Sequence, residues 1–167
     1  SASGSTSFCQ GDSVTLTSSS NSSYTWSTGA TTQTITVHTS GNYSVMVTNA
    51  GGCTATSSVI SVTVNPLPTA GFTYNATSLL TYSFINTSIN ATTYVWNFGN
   101  GQTSTSVNAA STYTVSGTYT VTLLATNACG SNMTTQIITT EPNFDFYTGF
   151  SPNGDGHNDT WDIPVLN

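Results

Sequence analysis

The side chains in this 167-residue sequence that could hold a metal or move a proton are few, and most stand at one end. Of six acidic residues only Asp12 lies in the first 140 positions; Glu141, Asp145, Asp155, Asp159 and Asp162 follow. Numbering Ser151 as loop position 1 puts Asn153 at 3, Asp155 at 5, Gly156 at 6, His157 at 7, Asp159 at 9 and Asp162 at 12. A twelve-residue calcium loop wants oxygen ligands at those odd positions, a backbone carbonyl at 7, glycine at 6 for the turn and an acid at 12. The departures are Ser151 where Asp is expected and Asp162 in place of Glu. Clustered carboxylates repel one another until a cation arrives. The expectation is a calcium site built from Ser151, Asn153, Asp155, His157, Asp159 and Asp162. The competing reading is a Gly/Asn/Asp turn that binds nothing.

Elsewhere there is little to catalyse with. His38 and His157 are the only imidazoles, and neither stands near a Ser or Cys motif with an acid behind it. His38, between Val37 and Thr39, reads as solvent-facing on a strand. A lone carboxylate before position 141 cannot make a two-carboxylate glycosidase site. The segment is expected to be non-enzymatic. Trp26 and Trp96 could stack on sugars, but both sit in Tyr-x-Trp strands and read as core. Cys9 and Cys53 could form a disulfide closing a loop of about 45 residues, a constraint of roughly 4 kcal/mol; the alternative is two buried free thiols. Cys129 is then a free or buried thiol, or pairs with residues outside this chain.

The sequence has no Lys and no Arg, and 4 % charged residues. Nothing can neutralise phosphates, so nucleic acid is excluded as a partner, as is polybasic attachment to anionic lipid. No stretch approaches the roughly 18 apolar residues of a membrane helix, so no membrane insertion of its own is expected. No basic segment with an apolar core opens the chain; a secretory signal would have been removed or lie outside it. Ser and Thr fill 60 positions. With three cysteines, that composition fits an oxidising, extracellular compartment. A near-neutral body meets its partners by shape, hydroxyl hydrogen bonds or apolar contact.

The elements that must carry these residues are strands. Tyr43, Val45 and Val47 alternate with polar neighbours, as do Ile60, Val62 and Val64, then Tyr94, Trp96 and Phe98, then Tyr119, Val121 and Leu123. Turn clusters such as Asn49 to Gly52 and Asn100-Gly101 separate them, a pattern that predicts β-sandwiches. An internal repeat sets the count. Tyr24-Thr25-Trp26, Gly41-Asn42-Tyr43-Ser44-Val45 and Thr48-Asn49 reappear as Tyr94-Val95-Trp96, Gly117-Thr118-Tyr119-Thr120-Val121 and Thr126-Asn127. Pro66-Leu67-Pro68 reads as an extended connector. The expected architecture is all-β: a sandwich over 1–66, a second over 67–140, and the start of a third, C-terminal β domain over 141–167.

Three segments resemble known families. Phe8-Cys9-Gln10-Gly11-Asp12-Ser13-Val14-Thr15-Leu16 and Tyr24-Thr25-Trp26-Ser27-Thr28-Gly29 resemble Ig-like domains of large surface proteins of gliding bacteria. Trp96-Asn97-Phe98-Gly99-Asn100-Gly101 with Gly117-Thr118-Tyr119-Thr120-Val121 is similar to a polycystic-kidney-disease (PKD) domain, with Asn97 and Asn100 where that family usually has Asp. Ser151-Pro152-Asn153-Gly154-Asp155-Gly156-His157-Asn158-Asp159 resembles the start of the gliding-motility-associated C-terminal domain, which directs proteins to type IX secretion. The chain stops at Asn167, before such a domain would be complete. The last resemblance implies Ser151, Pro152, Asn153, Gly154, Asp155, Gly156, Asn158 and Asp159 as sorting-motif residues. It also implies the type IX machinery and an outer-membrane anchoring protein as partners.

The expected function is a non-enzymatic extracellular segment of a cell-surface adhesin or stalk, linked to gliding or attachment and meeting surface glycans or proteins. The runner-up is an accessory, carbohydrate-binding region of a secreted polysaccharide-degrading enzyme. A third reading is a Thr-rich face that binds a regular solid, motivated by Thr31-Thr32-Gln33-Thr34-Ile35-Thr36.

Overall fold

Alternating Val, Ile, Tyr and Thr put this chain into strands, and glycine- and asparagine-bearing turns separate them. The computed structural model describes residues 1–141. Its regular structure there is all β, as the alternation predicts. The first eight strands are β1 (Ser7–Cys9), β2 (Val14–Thr17), β3 (Ser23–Trp26), β4 (Thr34–Val37), β5 (Gly41–Tyr43), β6 (Val45–Thr48), β7 (Thr54–Thr56) and β8 (Ile60–Asn65). Seven more follow: β9 (Phe72–Ser78), β10 (Thr81–Asn86), β11 (Thr93–Asn97), β12 (Thr103–Ser104), β13 (Ala109–Thr112), β14 (Gly117–Asn127) and β15 (Gly130–Thr140).

Strands β1 to β8 pair only with one another, in the orders β1-β8-β5, β2-β4 and β3-β6-β7. Strands β9 to β15 form β13-β10-β9 and β12-β11-β14-β15. Each bead has its own core. In the first it is Val14, Leu16, Trp26, Val37, Tyr43, Val45 and Val62. The second is aromatic: Phe72, Phe84, Trp96 and Phe98 form one group, with Phe72 edge-on to Trp96 at 5.2 Å. Such pairs add about 0.5–1.5 kcal/mol beyond area burial.

The repeat places the same side chains in the same roles. Trp26 lies opposite Val45 and Trp96 opposite Leu123, both inward. Their exposures, 4 % and 0 %, exclude sugar stacking at either ring. Each indole N–H donates to a loop carbonyl, Thr32 at 2.8 Å and Ser106 at 2.9 Å, so neither buried donor is orphaned. Tyr43 and Tyr119 each turn back to donate to the carbonyl four residues upstream, Thr39 at 3.0 Å and Val115 at 2.8 Å. That corner explains why Gly-x-Tyr recurs at the start of the strand.

One strand behaves differently in the two beads. In the second, Gly117–Asn127 is continuous. In the first, the alternation through Tyr43, Val45 and Val47 predicts one strand, but the chain changes sheets at Ser44. Tyr43 pairs with Ile60 of β8, and Val45 pairs with Trp26 of β3. The switch is held by local bonds: Ser44 N–H donates to Ser27 Oγ at 3.2 Å, and Val45 N–H donates to Ser57 Oγ at 3.1 Å.

Candidate functional site

The connection between the beads gathers more specific chemistry than any other region among the described residues. Cys9 ends β1, which runs parallel to β8 with Cys9 opposite Asn65, so the strand delivers Cys9 to the connector. Asn65 holds it there, its Nδ2 donating to Ser7 Oγ at 3.2 Å and to the Phe8 carbonyl at 3.3 Å. From the other side comes the β14–β15 turn. Asn127 pins that turn, its Oδ1 accepting the N–H of Cys129 at 2.7 Å and of Gly130 at 3.2 Å. Its Nδ2 donates to the carbonyls of Pro66 at 2.9 Å and Asn90 at 2.6 Å. One asparagine thereby ties the turn to the connector. Leu67 N–H donates to Gln10 Oε1 at 3.4 Å, tying the connector back to the first bead.

Cys9 and Cys129 are joined by a disulfide across this junction, with Cα atoms 5.4 Å apart and 120 residues between them in sequence. This corrects the expected Cys9–Cys53 bridge. Cys53 is free and exposed in the β6–β7 turn. The reason is strand direction. β5 runs antiparallel to β8 and so leads away from the connector. β6 carries on from it and ends in the turn of Cys53, at the opposite pole from Cys9. The sequence signal was the repeat itself. Thr-Asn-Ala precedes Cys129 directly and Cys53 with Gly51-Gly52 between, and both N–H groups donate to the turn asparagine, Asn49 at 3.0 Å and Asn127 at 2.7 Å. They are counterparts at matching poles, and Cys9 is the one cysteine at the other kind of pole.

The turn after Trp96 is pinned by asparagine too. Asn97 Oδ1 accepts Gly99 N–H at 2.9 Å, and Asn100 Oδ1 accepts Gln102 N–H at 3.0 Å. Asn100 Nδ2 also donates to Ser111 Oγ at 3.0 Å and to the Thr112 carbonyl at 3.3 Å. An aspartate would keep the acceptor and lose both donations. Here Asn97 and Asn100 close a turn. Among the described residues no group of three or more His, Cys, Asp or Glu side chains comes together. His38 is exposed as expected, but it stands just past the end of β4 rather than on the strand. Beside β4 lies an open groove of about 510 Å³ whose walls include Thr28, Thr32, Thr34, Thr36, His38 and Tyr43. The residues of the expected calcium loop and sorting motif, Ser151 through Asp162, lie outside the described residues.

Comparison with known proteins bears on the second bead above all. Residues 64–142 match the family model of the PKD domain. Among solved structures the chain is similar to the PKD1 domain of the Vibrio cholerae metalloprotease PrtV, with 37 % identity over 44 % of this chain and 96 % of that one, and a TM-score of 0.41. It is similar to the PKD1 domain of Vibrio anguillarum Epp at 34 % identity, over 47 % of this chain and 99 % of that one, with a TM-score of 0.44. It is also similar to a structure of carbohydrate-binding modules of the β-sandwich superfamily at 28 % identity, over 53 % of this chain and 40 % of that one, with a TM-score of 0.45. A search of curated proteins finds no match. The aromatic core around Trp96 and the asparagine-pinned turn both fall inside the matched span, and the chain carries a PKD domain at residues 64–142.

Proposed function

We propose that the chain is a non-enzymatic extracellular segment of a cell-surface adhesin or stalk, whose two beads project a binding region from the cell. The observation that supports this is the junction: a disulfide and a set of side-chain hydrogen bonds fix two β-sandwiches to each other, as a spacer requires. A structural disulfide also suits an oxidising exterior. In this reading Ser151–Asp159 is the sorting motif read by the type IX secretion machinery, and an outer-membrane protein anchors the product. Calcium held by Ser151, Asn153, Asp155, His157, Asp159 and Asp162 orders that segment. Deleting residues 1–141 from the parent gene, with the sorting segment kept, is expected to leave export intact and abolish attachment.

The second reading is an accessory, carbohydrate-binding region of a secreted polysaccharide-degrading enzyme. The groove beside β4 favours it, since threonine hydroxyls set among Ala30, Ile35 and Val37 offer a sugar both hydrogen bonds and apolar contact. The same deletion separates the two. Unchanged attachment with lost polysaccharide hydrolysis refutes the stalk and favours the accessory region.

A further inference from the structure

We infer that the Cys9–Cys129 bond is a load bypass, so that tension applied along the chain crosses the junction through sulfur and residues 10–128 carry none of it. A pull on the N-terminal side reaches Cys9 through residues 1–9, crosses to Cys129, and leaves through β15. Everything between the two cysteines in sequence hangs off this path as a closed loop. That loop contains Trp26, Leu16, Phe84, Trp96 and Leu123, most of both cores.

The loaded segments are already extended and do not double back. Residues 1–3 run beside β2, with Ser3 N–H donating to the Thr15 carbonyl at 2.9 Å and Ala2 bridged to Leu16. β1 then advances along β8 to the connector. β15 leads away from the junction, paired with β14 from Gly130 to Thr140. Inter-strand hydrogen bonds lie across the strand direction. A pull along β15 enters and leaves on that one strand, so its ladder to β14 flanks the load path and β14 is not an anchor for it. The stalk reading gives this device its use in the cell, but the load path stands on the covalent topology alone, and its test fails separately from the deletion experiment.

The test holds the chain of residues 1–167 by its two ends in a force spectrometer. Reduction with dithiothreitol is expected to add about 400 Å of contour length, from the sequence separation of 120 at roughly 3.3–3.6 Å per extended residue. In the oxidised chain that length stays hidden at every force below rupture. Contour length at high force does not depend on whether the reduced beads refold, so a folding defect leaves the measurement valid. A gain near 150 Å would place the bond between Cys9 and Cys53 and overturn the inference. So would equal lengths in the two states. The Cys53→Ser variant is expected to match the unsubstituted chain in both.

Discussion

Removing Cys129, a residue of the second bead, should destabilise the first bead as much as the second. The bond spans the junction, so each bead's unfolded state is a closed loop for as long as the other bead stays folded. When the first bead opens, the chain from Cys9 to the connector is held at both ends, a loop of about 57 residues. The chain-entropy relation gives about 4 kcal/mol for such a closure, and about the same when the second bead opens. In domains of this size a loss of 1 kcal/mol lowers the melting temperature by about 4–8 °C. Losing the bond should therefore cost each bead on the order of 15–30 °C. A single substitution would free Cys9 to meet Cys53, so the comparison is between Cys53→Ser and Cys53→Ser/Cys129→Ser. Calorimetry gives the transitions, and hydrogen exchange of peptides from 10–65 and 70–128 assigns them. The Cys53→Ser change alone touches an exposed turn and should stay within about 0.5 kcal/mol. If the first bead melts at the same temperature in both variants, the junction does not couple the beads as argued.

Further outcomes follow from single positions. Gly99 has φ +76°, and a Cβ there would stand 2.7 Å from the Thr120 carbonyl oxygen; Gly99→Ala should cost roughly 2–4 kcal/mol in urea unfolding, combining the left-handed penalty and the clash. Gly101 has φ +85° but open space around it, so Gly101→Asn should cost under about 1 kcal/mol. Burial pushes the Tyr113 phenol up from 10.0 to about 12 while its O–H donates to the Phe98 carbonyl at 3.0 Å. The folded state keeps a proton that the unfolded state gives up, so stability present below pH 10 should fall between about pH 10 and 12, and Tyr113→Phe should flatten that fall in a pH series of melts. With no Lys or Arg to pair, the melting temperature should hardly move between low and moderate sodium chloride; a steep change would mean that charge holds the beads.

The fold was legible because its main signal is local. Tyr94, Trp96 and Phe98 alternate in sequence, and the structure turns Trp96 and Phe98 inward while Val95 stands exposed. The Gly-x-Tyr repeat likewise marked two equivalent strands, since the tyrosine corner is made within four residues. What could not be read was non-local. The change of sheet at Ser44 leaves Tyr43, Val45 and Val47 in step, so periodicity carries no trace of it; the partners that decide it are Ile60 and Trp26, far away in sequence. The cysteine pairing failed for a related reason. A Cys9–Cys53 bond would need the first strand and the β6–β7 turn to share a pole, whereas the parallel pairing of β1 with β8 carries Cys9 to the other one.

A chain without cations has to fix its geometry by other means, and the amide side chains show how. An asparagine carries an acceptor and a donor on one rigid group, so it can cap a turn and reach a neighbouring backbone at once. Asn100 does so within the second bead, and Asn127 does so across the junction. Such bonds contribute about 1 kcal/mol each when exposed to water, since solvent competes for both partners. They orient well and hold weakly. Two neutral beads meeting through a few of them have no Lys or Arg to pair with a carboxylate, and the covalent cross-link stands at that junction. The disulfide and the asparagines therefore divide the task. Asn127 and Asn65 set the angle at which the strands arrive, and the Cys9–Cys129 bond keeps them there.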